Sequence, residues 1–217
     1  HEMNKLVEHG CFGTPVGRWS ISDARATLSG LFLLASVKFA EMAEALWKFK
    51  GRAVALGNNI VKAMGHEVPG AYDNRHAWET LVSELATLAE GRLVDAWSLI
   101  YDFPLESIDF ENGYLQKAWP SDWPTHFLDI PKEAWHLLPP ELQPPDGMKR
   151  PVWPMRKCLY GHPASGHLFC NEVQSYMEHL GWVVIGRSGS RTLMRKGLGI
   201  LCLYVDDVKA SAPREEL

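Results

Sequence analysis

Near its C-terminal end the chain reads Leu201-Cys202-Leu203-Tyr204-Val205-Asp206-Asp207-Val208. An uncharged run from Gly199 to Tyr204 is followed by Val205 and then by the two adjacent carboxylates. This order predicts an apolar strand that ends in a tight turn, because Asp is a common turn residue. Ionised carboxylates beside an apolar sheet repel each other and lose hydration, so a divalent cation would stabilise them. The stretch therefore indicates either an ordinary hairpin turn or one edge of a metal site.

A third carboxylate, Asp109, stands near the end of residues 105–110, which the pattern predicts to be a strand. If that strand lies beside the hairpin that carries Asp206 and Asp207, the three carboxylates converge. Carboxylates on adjacent strands hold the two cations of phosphoryl-transfer sites, about 3.5–4 Å apart. The residues alone therefore make a two-metal site a reasonable hypothesis.

The order of the predicted elements favours an α+β fold, an antiparallel sheet with helices packed on one face. We expect residues 1–20 to be a poorly ordered leader and residues 119–147 to be an irregular surface insertion. Strands are predicted at residues 31–39, 50–57, 105–110, 152–158, 182–185, 192–195 and 199–205. For the first of them, a helix that starts near Ser22 is the alternative. Helices are predicted at residues 40–47, 76–92 and 163–180, with a loop at 65–75.

Composition narrows the class of protein without fixing its function. The 217 residues carry a net charge of −4, so nucleic-acid binding would have to depend on local basic clusters. The four cysteines show no paired spacing, which favours a reducing compartment. The longest apolar run, residues 26–37, is too short to span a bilayer, which needs about 20 residues. We expect an intracellular protein with no membrane partner.

Four segments resemble motifs of the reverse transcriptase domain of copia-type LTR retrotransposons, and they occur in the order of that family. Phe49–Gly57 resembles the fingers-strand motif, and Asp109–Gln116 resembles the first catalytic motif. Lys157–Gly161 resembles the run that opens the helix under the template, and Tyr204–Asp207 resembles the catalytic hairpin. Together the four segments cover about residues 30 to 212.

The resemblance implies a palm-and-fingers polymerase, with residues 21–75 fingers-like and residues 76–217 palm-like. It implies RNA-directed DNA synthesis, in which a primer 3′-hydroxyl attacks the α-phosphate of a deoxynucleoside triphosphate. Asp109, Asp206 and Asp207 would be catalytic and would hold two Mg²⁺ ions, for which Mn²⁺ is a substitute. The expected partners are an RNA or DNA template with its primer, the dNTP, and the thumb, RNase H and integrase of the polyprotein. A cytoplasmic particle or the nucleus is the expected location.

The same resemblance assigns further ligands. The backbone carbonyl of Phe110 would join the metal ligands. Five residues would bind nucleotides. Lys50 and Arg52, the basic pair, would contact the triphosphate. Tyr114 would crowd the sugar 2′ position and exclude ribonucleotides, and Gly161 would let the backbone approach the templating nucleotide. The role of Gln116 is less defined. From the residues alone, exposed strand charges are an equal alternative for the basic pair, the tyrosine is simply a core aromatic, and the glycine belongs to an ordinary turn.

Three departures from the family pattern affect the expectations. Gly113 stands where the family prefers Ala, and His162-Pro163-Ala164-Ser165-Gly166 replaces a run that usually contains Lys-Gln. Only ten residues follow Asp207, so the primer grip, thumb and RNase H segments do not appear in this sequence. We therefore expect the isolated chain to be weakly active or inactive.

Three other functions remain open at this point. In the first alternative, the chain is an inactive retrotransposon-derived remnant that at most binds nucleic acid. In the second, which is less favoured, it is a zinc module. The zinc alternative depends on Cys158, His162, His167 and Cys170, whose spacing offers four ligands. A different two-metal enzyme would share the aspartates but would not explain the motifs around Tyr114 and Lys50.

Overall fold

Two β-sheets organise the described residues, and each sheet belongs to its own unit. The structure is a computed structural model that describes residues 2–64, 86–186 and 192–215. Of these, residues 2–64 and 115–165 belong to the first unit, and residues 86–114, 166–186 and 192–215 belong to the second. Helices and strands both contribute, which confirms the predicted α+β class.

The elements are named here in chain order over the described residues. The helices are α1 (Glu2–Glu8), α2 (Leu88–Tyr101), α3 (Gly113–Gln116) and α4 (Pro163–His179). The strands are β1 (Val16–Gly17), β2 (Thr27–Lys38), β3 (Lys48–Ala55), β4 (Val61–Lys62), β5 (Leu105–Asp109), β6 (His126–Asp129), β7 (Pro151–Pro154), β8 (Val183–Val184), β9 (Leu193–Lys196), β10 (Gly199–Tyr204) and β11 (Asp207–Ser211). Short 3₁₀ helices occupy Arg18–Ser20, Glu44–Leu46, Lys132–Leu137 and Pro140–Leu142.

The first unit is built on a sheet of order β1-β7-β6-β2-β3, with β4 also paired to β2. Strand β6 runs parallel to β2, and the other pairs are antiparallel. Ala53 and Ala55 of β3 are buried beside Leu31, as the alternation of the sequence predicts. Trp153 of β7 is fully buried at the centre of this core.

Two predictions about the first unit are wrong. The expected leader contains α1 and β1, and Leu6 and Cys11 are buried in the core. Residues 119–147 contain β6 and bury Leu128 and Ile130 in the same core. Both segments have short apolar runs interrupted by Gly or Pro, so neither shows the periodicity from which burial is recognised. Tertiary packing, rather than local pattern, places them inside.

The second unit is built on an antiparallel sheet of order β5-β11-β10-β9-β8. Leu201, Leu203 and Val208 pack against Phe169 of α4 on one face. The intervening residues Ile200 and Cys202, with Leu193, pack against Val94 and Trp97 of α2. Because neighbouring strand residues point to opposite faces, the two helices cover opposite faces of the sheet. The prediction that helices pack on one face is therefore wrong, and the uncharged run of β10 is typical of a strand buried on both sides.

Several local predictions can be compared directly with the elements. Helix α4 is confirmed: it begins at Pro163, and Gly181 just beyond its end has φ +89°. The predicted helix at residues 40–47 is only a 3₁₀ turn. The predicted loop at 65–75 and most of the predicted helix at 76–92 lie outside the described residues. In the described part, α2 continues through Gly91 to Tyr101, so the stop predicted at Gly91 is wrong.

A capping box explains where α2 begins. The Thr87 hydroxyl accepts the backbone N–H of Glu90, and the Glu90 carboxylate accepts the backbone N–H of Thr87. This reciprocal pair satisfies N–H groups that have no partner within the helix. With its first turn fixed at residues 87–90, the helix has a complete turn before Gly91, and the glycine costs only about 1 kcal/mol in helix propensity.

Two buried histidines pack together in the first unit. The ring centroids of His126 and His162 are 4.4 Å apart. The two ring nitrogens of His126 lie 2.8 Å from the Thr27 hydroxyl and 2.9 Å from the Ser29 hydroxyl. Burial lowers the pKa of His126 well below its usual 6.5, and the adjacent His162 lowers that pKa further. Burial also lowers the pKa of His162 to about 3.

These histidines predict that the fold loses stability in mild acid. Their pKa values are lower in the folded chain than the unfolded value of 6.5, so below pH 6.5 the unfolded chain binds more protons. The stabilisation is complete above that pH and is lost as the pH falls from 6.5 towards 3. His162 alone should lower the free energy of unfolding by about 2 kcal/mol between about pH 7.5 and about pH 5. Urea denaturation at the two pH values measures this loss.

The matched pair of variants is His162→Gln and His136→Gln, because His136 is exposed in the same unit. The His162 change should flatten the pH dependence, and the His136 change should leave it as in the parent. An equal pH dependence in all three proteins would contradict the account.

Candidate functional site

The hairpin between β10 and β11 turns through only two residues. Tyr204 pairs with Asp207, which leaves Val205 and Asp206 as the turn. Val205 has φ +57°, whereas Asp206 is not among the residues with positive φ. A positive φ at the first turn position is typical of a type II′ turn, where Gly is preferred. A β-branched residue there is strained, so the flanking strands must hold the turn in place.

Strand pairing brings two aspartates together from distant parts of the sequence. Strands β11 and β5 are antiparallel, and Asp207 is the direct partner of Asp109. The backbone N–H of Phe110 donates to the carbonyl of Asp206 at 2.8 Å. That hydrogen bond makes Asp109 and Asp207 a non-hydrogen-bonded pair, in which the Cα atoms are closest, at about 4.5 Å. Their side chains therefore leave the same face of the sheet, side by side.

Among the described residues, no side-chain cation is paired with either of these two carboxylates. Asp109 and Asp207 are both exposed, and within the described residues neither forms an ion pair. Lys209, two residues along the same face, is instead paired with Asp95 of α2. Like charges directly opposite each other on neighbouring strands are destabilising. A divalent cation between the two carboxylates would remove this repulsion, so the donor set fits Mg²⁺, which prefers oxygen ligands.

Asp206 has a different environment. Burial raises the pKa of the Cys170 thiol on α4, and the nearby Asp206 raises it further. Helix α4 covers the face opposite to the one that carries Asp109 and Asp207. Over residues 2–64, 86–186 and 192–215, no three His, Cys, Asp or Glu side chains are grouped so as to hold one ion. The structure thus pairs two of the three carboxylates, and the joint participation of Asp206 stays a prediction.

The carbonyl of Phe110 takes part in the turn that follows Asp109. It accepts the backbone N–H of Gly113 at 3.1 Å, and Asn112 in this turn has φ +56°. Asn tolerates this left-handed conformation better than most residues. A carbonyl oxygen has two lone pairs, so one remains for another donor or an ion. The metal-ligand role of Phe110 stays a prediction.

A cavity of about 650 Å³ opens beside Asp207, within the second unit. Its volume falls within the range of small-molecule sites, about 300–1,000 Å³. The sheet and the first turn of α2 both line it, with side chains that include Ser107, Tyr204, Asp207, Lys209, Thr87 and Leu88. Sequence reasoning missed Ser107, although its position two residues before Asp109 places both on one face of β5.

The predicted triphosphate ligands lie on β3, in the first unit. Lys50 and Arg52 share one face of the β2–β3 ribbon with Lys48 and with Lys38, the direct partner of Lys48. Arg52 lowers the pKa of Lys50, and Lys38 lowers it further. None of these four cations forms an ion pair with any described residue. This ribbon face therefore concentrates positive charge, as binding to phosphate groups requires.

Gly161 has a clear packing role in the first unit. It has φ +88°, and a Cβ on it would lie 2.2 Å from the carbonyl oxygen of Ala55. A Cβ on Gly57 would lie 2.0 Å from the carbonyl oxygen of Gly161. The backbone of β3 and the turn at residues 160–161 can approach this closely only because both residues are glycines. The predicted contact of Gly161 with a templating nucleotide stays a prediction.

The remaining nucleotide-binding candidates are Gln116 and Tyr114. The backbone carbonyl of Gln116 accepts a hydrogen bond from Lys157 Nζ at 3.3 Å, within the first unit. The ring of Tyr114 packs edge-on against Phe169, with centroids 5.5 Å apart, within the second unit. Sequence reasoning missed Phe169, since an apolar helical position shows only that it is buried.

The four residues of the zinc alternative are divided between the two units, with Cys158 and His162 in the first and His167 and Cys170 in the second. Cys158 and His162 are buried, and the His162 ring packs against His126 and Trp119. His167 Nε2 lies 2.8 Å from the side-chain amide of Asn171. The zinc alternative stays a prediction.

No helix in the described parts of the chain has the length and apolar character needed to cross a bilayer. No protein-family model matches the chain, and no curated protein is significantly similar to it. The functional inference therefore rests on the site residues described above and on their geometry.

The facing carboxylates predict a specific effect on stability. In EDTA and low salt, Asp207→Asn should raise the free energy of unfolding by about 0.2–1 kcal/mol, because it removes a like-charge pair. Added Mg²⁺ should stabilise the parent protein and stabilise the variant less. Denaturant unfolding with and without Mg²⁺ measures both effects.

Glu106→Gln is the matched control for this change. Glu106 lies on the same strand as Asp109 but faces the other side, opposite Ala210. A control variant that gains as much stability as Asp207→Asn would show that repulsion within the pair is not the cause.

Proposed function

We propose that this chain is the polymerase portion of a copia-type reverse transcriptase, which adds a deoxynucleotide to a primer 3′-hydroxyl. The observation that carries the proposal is the direct pairing of Asp109 with Asp207 across β5 and β11. Two residues far apart in the sequence, each in a segment that resembles a catalytic motif, are neighbours on one sheet. The cavity beside Asp207 supports a small-molecule substrate at this position.

The roles of the residues follow from their chemistry. Asp109 and Asp207 would hold a divalent cation, with Asp206 and the Phe110 carbonyl as further ligands. When bound, magnesium lowers the pKa of the attacking hydroxyl and neutralises charge on the leaving pyrophosphate. The paired strands fix the carboxylates in place, so the protein need not reorganise to bind an ion. The basic ribbon face that includes Lys50 and Arg52 attracts phosphate groups, and Tyr114 crowds the sugar 2′ position.

Primer extension with the whole chain tests this function. The protein, in excess over a labelled primer annealed to an RNA template, is incubated with dNTPs and Mg²⁺ or Mn²⁺. Weak extension is expected from the parent, and Asp109→Asn and Asp207→Asn should each reduce it at least about 100-fold, since each removes a metal ligand. Glu106→Gln should extend as the parent does.

Binding of Mn²⁺, followed by electron paramagnetic resonance, provides a readout that does not need turnover. The parent and Glu106→Gln should bind the ion, and the two aspartate variants should bind it more weakly. Extension that persists in Asp109→Asn, or a parent that neither binds Mn²⁺ nor extends a primer, would show that the proposed function is incorrect.

A nucleic-acid-binding remnant without catalysis is the second candidate. It is favoured by the basic face of the β2–β3 ribbon, together with the lack of a three-carboxylate group in the described residues. In that case the chain should bind an RNA–DNA hybrid with affinity that falls steeply as salt increases. It should do so without Mn²⁺ binding or extension, and Lys48→Gln/Lys50→Gln should weaken the binding.

A further inference from the structure

The outer half of β2 has a neighbouring strand on only one side. Strand β2 pairs with β6 over Thr27–Gly30 and, on its other side, with β3 over Leu31–Lys38. Strand β6 ends at Asp129. Beyond that point, none of the described strands lies against the β6 side of β2. Residues 32–38 of β2 therefore form an open edge of the first sheet.

Backbone hydrogen bonds show which residues face this open edge. The Leu56 N–H donates to the Gly30 carbonyl at 2.9 Å, so the even-numbered residues of β2 bond on the β3 side. The Thr27 N–H donates to the Thr125 carbonyl at 3.0 Å, so the odd-numbered residues bond on the β6 side. This alternation continues along an antiparallel strand. The residues whose N–H and C=O groups point out of the open edge are Leu33, Ala35 and Val37.

The side chains of the open edge do not protect it against a further strand. Residues 32–37 read Phe-Leu-Leu-Ala-Ser-Val and carry no charge. The side chains of Phe32, Leu33 and Leu34 are 49%, 39% and 45% exposed. Native sheets protect exposed edges with charged residues, prolines or bulges, and this stretch has none of them. An apolar edge of this kind is a template for strand pairing.

The sequence of the open edge is complementary to a second copy of itself. In an antiparallel pair with Ala35 opposite Ala35 of the second copy, Leu33 lies opposite Val37 and exchanges two hydrogen bonds with it. The apolar side chains of these residues then meet on one face of the sheet. Lys38 lies opposite Phe32 of the second copy, where an aromatic ring attracts the ammonium group. The two Lys38 residues stand at opposite ends of the pair.

Charge favours this edge over the one on β3. If two copies paired through β3, Lys50 would face Arg52 of the second copy, and like charges directly opposite each other are destabilising. At the open edge of β2, by contrast, Asp129 lies beside Gly30, on the face of the sheet that also carries Lys38. Lys38 of the second copy would come close to this carboxylate, so the charges are complementary.

We propose that the open edge of β2 is an interface with a second copy of this chain, which pairs antiparallel about Ala35. The interface is isologous and therefore closes as a two-fold symmetric dimer. The two-fold axis is perpendicular to the sheet, so the basic faces of the two β2–β3 ribbons lie on the same side. The dimer thus presents one continuous basic surface to phosphate groups. This inference does not depend on the proposed function.

Analytical ultracentrifugation of the whole chain over a range of concentrations tests the interface. The parent should form a dimer that dissociates on dilution. Ala35→Lys should weaken the dimer at least about tenfold, because it sets two like charges opposite each other at the centre of the interface. Phe49→Lys is the matched control, since it adds the same charge at an 83% exposed residue of β3. This control should form a dimer as readily as the parent.

A disulfide cross-link tests the register and does not require the lysine variant to fold. In a hydrogen-bonded pair the Cα atoms are about 5.5 Å apart, which is within reach of a disulfide bond. Ala35→Cys should therefore give a covalent dimer under mild oxidation, and Phe49→Cys should not. The parent controls for the native cysteines, of which Cys11, Cys158 and Cys202 are buried.

Three outcomes would overturn the inference. The first is a parent that stays monomeric up to about 100 μM while Ala35→Cys gives no covalent dimer, even if the edge pairs with a strand of another protein. The second is a dimer of Ala35→Lys as stable as that of the parent. The third is an equal loss of dimer in Phe49→Lys and Ala35→Lys, which would place the association elsewhere on the ribbon.

Discussion

The register between β5 and β11 is the constraint on which the candidate site depends. It sets Asp109 opposite Asp207 and Phe110 opposite Asp206. A slip of one residue would turn the side chains of β5 to the other face of the sheet. The carboxylates would then separate, although every strand would remain formed. The site is thus a property of the pairing and not of either segment alone.

Strand β5 does not itself specify this register, because all five of its side chains are exposed. A strand without a buried face has weakly specified register. Strand β11 is anchored by Val208 and Ala210, which are buried towards α4. On the β5 side, the anchor comes after the strand, where the Phe110 and Tyr114 rings pack against Phe169. The packing of Phe169 therefore bears on the placement of Asp109 as well as on Tyr114.

Two unfavourable features meet at the end of this sheet, a strained Val205 and a pair of like charges. Folded chains retain such features where surrounding structure or function requires them. How far they were predictable differs between them. The sequence predicts the turn, because Asp is common in turns after an apolar run. The proximity of Asp109 to the hairpin was only a conditional hypothesis, and the pairing of β5 with β11 is what places the two together. The sequence does not reveal that Asp206 lies near Cys170, since a turn residue has no alternation rule to set its direction.

At the level of the fold, β3 follows from alternation, β10 from an uncharged run before a turn, and α4 from Pro163 and Gly181, all of which act locally. The burial of Leu6 and Leu128 does not, because it depends on strands distant in the sequence. The coverage of both sheet faces was missed for a related reason. A strand that is apolar throughout, such as β10, does not show which neighbour lies on each face.

The most direct test of the central claim is disulfide trapping of the register. Cα atoms about 4.5 Å apart are within reach of a disulfide bond. Asp109→Cys/Asp207→Cys should form a cross-link between positions 109 and 207 under mild oxidation, identified by peptide mass spectrometry alongside the four native cysteines. Asp109→Cys/Val208→Cys should not, because residue 208 faces the other side of the sheet. A protein that links positions 109 and 208 as readily as 109 and 207 would contradict the register, and with it the paired carboxylates.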